Sequence, residues 1–231
     1  MGFQAGYRAV VIGASGGIGA AVLTALEADP NCSDVLGLSR RKDGLEITDE
    51  ASVRAAAQRI AGEWGQVDLV FDATGALDID GRGPEKTIKA IDADVMARQF
   101  AVNAIGPALL IKHFAPLLPR DRFCVLATLS ARVGSIGDNR LGGWISYRAA
   151  KAALNQIVRT ASIEIARTHP ASVVVALHPG TVETPLTAAH GRHADRSSPG
   201  EAAAALLSVI AGLDASRTGS LIAYDGTDIP W

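Results

Sequence analysis

The chain has only two cysteines, Cys32 and Cys124, among 231 residues. One lies in a loop-like stretch and the other in a strand-like stretch, with no spacing that suits a metal site or a disulfide framework, so both are read as free thiols. There is no basic block, and the formal net charge is −2, which removes the electrostatic footprint expected of a nucleic-acid binder. No internal repeat or low-complexity linker offers a place for a domain boundary. The longest uncharged run, Ala9 to Leu26, has the length of a membrane span, but Gly13, Gly16, Gly17 and Gly19 crowd its middle, where they weaken a helix. A secretory signal needs a basic start and a small-residue cleavage site, whereas Arg8 leads directly into a strand pattern. Gly2 heads no myristoylation motif, because Gly6 stands where Ser or Thr is required. The expectation is a cytoplasmic protein with neither nucleic acid nor membrane as partner.

What is present fits an ordinary globular chain: 48% hydrophobic and 20% charged residues argue against disorder. At 231 residues one α/β core is well filled and two would be cramped, so residues 1–231 are expected to form one domain. Seven short β-rich runs are expected as strands: Arg8 to Ile12, Val35 to Ser39, Leu45 to Thr48, Asp68 to Ala73, Arg122 to Leu129, Ser172 to His178 and Ser220 to Tyr224. Helical periodicity lies between them at Gly17 to Ala28, Glu50 to Trp64, Ala93 to Leu118, Tyr147 to Arg167 and Pro199 to Leu213, with Gly106 and Pro107 expected to split the third stretch in two. This alternation predicts a doubly wound Rossmann domain, a mainly parallel seven-stranded sheet with helices on both faces. The loops Arg132 to Trp144 and Thr184 to Ser198 follow the carboxyl ends of strands, the edge where open parallel sheets bind ligands.

The first strand runs into Gly13-Ala14-Ser15-Gly16-Gly17-Ile18-Gly19 and then into a helix. A helix amino terminus offers unpaired N–H groups and partial positive charge, so a diphosphate settles there if no side chain blocks it. Gly13 makes the turn in this reading, Gly17 admits the phosphate, and Gly19 lets helix and strand approach; the bland reading is a packing turn without ligand. An acidic residue commonly ends the second strand of NAD-specific sites, but here the chain has Ser39-Arg40-Arg41. Ser39 and Arg40 suit a 2′-phosphate through charge-assisted hydrogen bonds, so NADP(H) is expected in preference to NAD(H). Arg40 and Arg41 as a solvated strand end is the competing reading.

Tyr147 and Lys151 stand four residues apart at the start of a helical stretch, hence on one face. A free tyrosine titrates near ~10, and a neighbouring cation stabilises its phenolate. With the glycine turn, Asn103 in Val102-Asn103-Ala104, and Pro179-Gly180-Thr181-Val182-Glu183-Thr184, this pair resembles the short-chain dehydrogenase/reductase family in order and spacing across nearly the whole chain. Gly134 to Asn139 and Asp225 to Trp231 are similar to the C-factor-like branch, near the sniffer-type carbonyl reductases. The resemblance implies an NAD(P)(H)-dependent oxidoreductase acting on a small-molecule carbonyl/alcohol pair. Tyr147 would be its general acid or base, Lys151 would lower the phenol's pKa and hold the nicotinamide ribose, and Asn103 would hold a relay water. The cofactor-binding set it implies comprises Gly13, Ser15, Gly16, Gly17, Ile18, Gly19, Ser39, Arg40, Gly75, Asn103, Tyr147, Lys151, Pro179, Gly180, Val182 and Thr184. The resemblance leaves the assembly open: the Ala93 to Leu118 and Tyr147 to Arg167 helices would pair in a homodimer or homotetramer, as in many relatives, whereas related carbonyl reductases act alone.

Three departures qualify the match. The family's active-site serine aligns with Ala131, so Ser130 is expected to take its place, with Ser135 as the other candidate. Asp72-Ala73-Thr74-Gly75 replaces Asn-Asn-Ala-Gly, and Glu46 replaces an aspartate. These losses motivate an alternative, a dinucleotide-binding signalling or scaffold protein with little catalysis. His190 and His193 have metal-pair spacing but no third ligand, so no metal is expected. His178 is read as a buried, hydrogen-bonded residue. Trp64 and Trp231 are read as packing residues, and Trp144 as a flank of the substrate.

Overall fold

The computed structural model describes residues 2–187 and 196–231. His190 and His193 lie outside the described residues. Six parallel strands form one sheet: β1 (Tyr7–Ile12), β2 (Cys32–Leu38), β3 (Leu69–Asp72), β4 (Cys124–Leu129), β5 (Ser172–His178) and β6 (Leu221–Ala223). Their spatial order is β2-β1-β3-β4-β5-β6. The chain moves outward from β1 to β2, then returns to place β3 on the other side of β1. This reversal opens a crevice at the carboxyl ends of β1 and β3.

The helices are α1 (Gly17–Glu27), the single turn α2 (Arg40–Asp43), α3 (Glu50–Trp64), α4 (Ala93–Phe100), α5 (Gly106–Phe114), α6 (Ile145–Ala166) and α7 (Pro199–Ala211). Alternate residues of each strand serve opposite faces. Val10 and Ile12 join Phe114, Leu154 and Val158 in one core, while Ala9 and Val11 join Val22, Leu206 and Ile210 in the other. Burial on both faces is why the inner strands β1, β3, β4 and β5 read as largely apolar runs rather than as alternating ones.

One expectation is corrected and a second is refined. Leu45 to Thr48 is not a strand, so the sheet has six members among the described residues. The segment does alternate, with Leu45 and Ile47 buried, but its backbone bonds go elsewhere. Leu45 N–H donates to Ser39 O, Glu46 N–H to Ser52 Oγ, and Thr48 N–H to its neighbour Glu46 Oε1. Ile47 instead packs against Gly106, where a Cβ would lie 2.9 Å from Ile47 Cδ1.

The division expected at Gly106 and Pro107 is present, with α5 beginning at Gly106, but the two helices stay in one continuous run. A π-turn, Ala101–Ile105, joins α4 to α5, and the helical run continues to Leu117. Widening the turn removes the clash a proline ring has with the carbonyl one ordinary turn back. Among the described residues this run, Ala93–Leu117, is the one long and apolar enough to cross a membrane, and half of that apolar window is buried within the fold.

Candidate active site

The amino-terminal turn of α6 places Tyr147 and Lys151. Trp144, which precedes the helix with φ of 55°, provides no side-chain cap. Glu85 caps it from a distant loop: its carboxylate accepts from both Ser146 N–H and Ser146 Oγ–H. The ring of Trp144 meets that of Tyr147 edge-on, with centroids 6.4 Å apart. Tyr147 is 8% exposed and Lys151 3%.

Lys151 Nζ donates a 2.9 Å bond to Leu129 O, at the end of β4, and lies 6.0 Å from the centre of the Tyr147 ring. Burial pushes the Tyr147 phenol up to about 12. It also holds the Lys151 amine down to about 8, against the opposing pull of Asp72. Desolvation dominates both because each charged form would sit in protein instead of water. Around neutrality the phenol keeps its proton and the amine keeps its charge.

Ser130, Tyr147 and Lys151 line one chamber of about 410 Å³ together with Gly17, Ile18, Gly19, Pro179, Val182 and Thr184. Strand β4 ends at Leu129, so the alternation of side chains between the two faces of a strand does not extend to Ser130. Ser130 Oγ donates to Asn155 Oδ1 at 2.6 Å. Ser135 is occupied elsewhere, donating to Pro230 O and accepting from Asp138 N–H.

Asn103, fully buried on the π-turn, clamps Ala76 from both sides: Nδ2 donates to Ala76 O at 2.8 Å, and Oδ1 accepts from Ala76 N–H at 3.1 Å. A Cβ on Gly75 would lie 3.1 Å from Asn103 Oδ1 and 3.4 Å from Lys151 Nζ, so glycine keeps open the space between them. Asp72 is buried beside this point, its carboxylate accepting from Thr74 N–H, Thr74 Oγ1 and Thr128 Oγ1. Burial raises the Asp72 pKa, while the hydrogen bonds from Thr74 and Thr128 and the charge of Lys151 oppose the rise.

A second chamber of about 880 Å³ joins the first through Ser15, Gly16, Ala73, Thr74 and Gly75. Gly13, Ser39, Arg40 and Arg41 also line it. Gly13 has φ of +82°, and a Cβ there would sit 3.0 Å from Ala73 backbone atoms; a Cβ on Gly19 would sit 2.3 Å from Gly13 O. The amino terminus of α1 has no side-chain cap and no acidic residue in its first turn, whereas Asp49 caps α3 and Ser198 caps α7. An uncapped, unblocked helix start opening onto a two-chambered cleft fits a dinucleotide diphosphate. The space beside Gly17 is taken by Thr184, whose Cγ2 lies 2.8 Å from where a Cβ would be.

At the end of β2 the chain does not simply run into solvent. Ser39 caps the short α2, and Asp43 Oδ2 accepts from Ser39 N–H at 2.8 Å. Arg40 is exposed and pairs with Glu46 at 3.6 Å.

Two expected residues stand apart from the chambers. Gly180 backs onto the Tyr224 ring, and Asn103 lies beneath Gly75. His178 is largely buried, with its pKa pushed down to about 4 by burial and by Arg132, but its Nδ1 has no hydrogen-bond partner among the described residues, contrary to expectation. No cluster of three metal-ligating side chains occurs among the described residues. Reading the sequence missed Asn155 and Glu85. Asn155 was within reach, since it continues the four-residue spacing of Tyr147 and Lys151 along α6.

A parallel sheet with its cleft at the strand reversal and a buried Tyr–Lys pair beside a glycine turn defines a class of dinucleotide-dependent oxidoreductases. Residues 39–222 match the family described as Enoyl-(Acyl carrier protein) reductase. The chain is 32% identical to 1-hydroxy-2-glutathionyl-2-methyl-3-butene dehydrogenase of Rhodococcus sp. strain AD45, over 81% of this chain and 79% of that one. It is 36% identical to C-signal of Myxococcus xanthus, over 72% of this chain and 94% of that one. Its fold matches the NADPH-bound carbonyl reductase from chicken fatty liver with a TM-score of 0.84 at 24% identity, covering 99% of this chain and 100% of that one. The chain belongs to the short-chain dehydrogenase/reductase family, and C-signal places it near the C-factor-like members.

Proposed function

We propose that the chain is an NADP(H)-preferring oxidoreductase that reduces a small carbonyl compound, with Tyr147 as general acid. The observation that carries this reading is the convergence of Tyr147, Lys151 and Ser130 on one chamber that also contains the glycine turn. NADPH would lie with its diphosphate at the start of α1, its adenosine toward Ser39 and Arg40, and its nicotinamide toward Pro179, Val182 and Thr184; when bound it supplies the hydride. Tyr147 Oη holds the proton that the substrate oxygen must receive, and a phenol still protonated at neutrality suits reduction better than oxidation. Lys151 carries positive charge toward the phenol and stabilises the phenolate left behind. Asn103 fixes Ala76 and so the floor under Gly75. Ser39 and exposed Arg40 favour the 2′-phosphate, in keeping with the NADPH named for the chicken enzyme and the NADP bound to a short-chain dehydrogenase/reductase from Burkholderia multivorans that is 26% identical.

Similarity to C-signal supports a second reading, a dinucleotide-binding signalling protein. A panel of aldehydes and ketones assayed with NADPH and with NADH, followed by cofactor absorbance, separates the two. The enzyme reading requires turnover, faster at low concentrations of NADPH than of NADH. Cofactor binding without turnover of any compound favours the signalling reading.

A further inference from the structure

Asn155 lies on α6 four residues beyond Lys151, and it is buried. Its Oδ1 accepts the 2.6 Å bond from Ser130 Oγ, whereas its Nδ2 is buried without a hydrogen-bond partner among the described residues. A Cβ on Gly134 would come within 3.0 Å of that nitrogen, so the turn Arg132–Gly134 closes over this end of the amide.

A hydroxyl has one proton to donate, and that of Ser130 is given to Asn155. Ser130 therefore presents only lone pairs to the cleft, although a carbonyl oxygen gaining negative charge needs donors. A half-turn of the amide about its Cβ–Cγ bond exchanges its two ends. Nδ2 then donates to Ser130 Oγ, and the serine proton is free to point at the substrate oxygen. The same half-turn gives the orphaned N–H a partner and leaves an under-bonded carbonyl oxygen, the less rare of the two defects.

We infer that Asn155 is a positioning residue whose side-chain amide, by turning between two orientations, sets whether Ser130 donates or accepts a hydrogen bond in the cleft. This rests on the oxidoreductase reading above.

Asn155→Asp keeps the shape and, when ionised, offers acceptors only, so it holds the Ser130 proton away from substrate. With NADPH and 4-nitrobenzaldehyde, Ser130→Ala and Asn155→Asp are each expected to lower kcat by about 10²-fold and change KM by less than about threefold. The double variant is expected to be no slower than Ser130→Ala alone, because both changes remove the same donor. Additive losses, or an Asn155→Asp enzyme with the parent kcat, overturn the inference.

A second readout needs no turnover and covers an Asn155→Asp chain that fails to fold. In protein labelled with ¹⁵N at asparagine, adding NADP⁺ and trifluoroethanol is expected to move the Asn155 Nδ2 protons downfield in the parent and not in Ser130→Ala. An unmoved parent resonance overturns the inference. A parent that reduces nothing in the carbonyl panel brings down the oxidoreductase reading and this inference together. A parent that reduces 4-nitrobenzaldehyde while Asn155→Asp matches it brings down this inference alone.

Discussion

The two chambers of the cleft are built on different principles. In the smaller one the polar groups are buried and held by long elements: Lys151 is tied to the end of β4 and Ser130 to α6, with Asp72 buried behind the wall and held by two threonines. In the larger one the polar groups at the end of β2 stand on a single helical turn, with Arg40 exposed and paired to Glu46. Burial shifts pKa values and fixes geometry, which chemistry requires; exposure leaves charge available to a ligand but screened by water. Under the proposed function, this difference assigns proton transfer to the buried half of the cleft and cofactor choice to the exposed half.

Changes in the buried chamber are therefore expected to cost the most. Among substitutions that leave the phenol in place, Lys151→Met is expected to lower kcat by about 10²-fold. Because the amine titrates at about 8, kcat for reduction in the parent should fall as pH rises through that value and the ammonium is lost. The Lys151→Met profile should be flat there, and a parent profile equally flat across pH 7–9 would contradict the role of the charge.

Glu85→Gln tests the remote cap of α6. Losing a charged acceptor at a helix start costs on the order of 1 kcal/mol, so thermal unfolding should move down by about 2–4 °C. An unchanged midpoint would show that the cap does not hold the helix.

The smallest effect belongs to the exposed arm. Arg40→Ala should weaken NADPH binding by a few-fold and leave NADH binding nearly unchanged, since an exposed charge is worth little. Titration by cofactor fluorescence checks this, and equal weakening of both cofactors would break the proposed division between the chambers.

The same division explains what could be read in advance. Tyr147, Lys151 and the glycine turn were legible because helical spacing and close packing are local rules, and Gly19 meets Gly13 O as that packing requires. Ser172–His178 and Glu50–Trp64 matched their patterns residue for residue. Leu45 to Thr48 did not, because alternation shows which side chains turn inward but not whether a neighbouring strand is there to complete the ladder. Glu85 was invisible for a related reason: it caps Ser146 from 61 residues away, a contact that only the fold creates. The tie between Ser130 and Asn155 likewise spans 25 residues and depends on β4 ending beside α6.

Tyr147→Phe measures the central claim most directly, because it removes one oxygen from a buried ring and leaves the chamber otherwise filled. At saturating NADPH, single-turnover reduction of 4-nitrobenzaldehyde by this variant should be slowed by at least about 10³-fold. Unchanged reduction by a variant that binds NADPH normally would contradict the account, since the proton would then come from elsewhere.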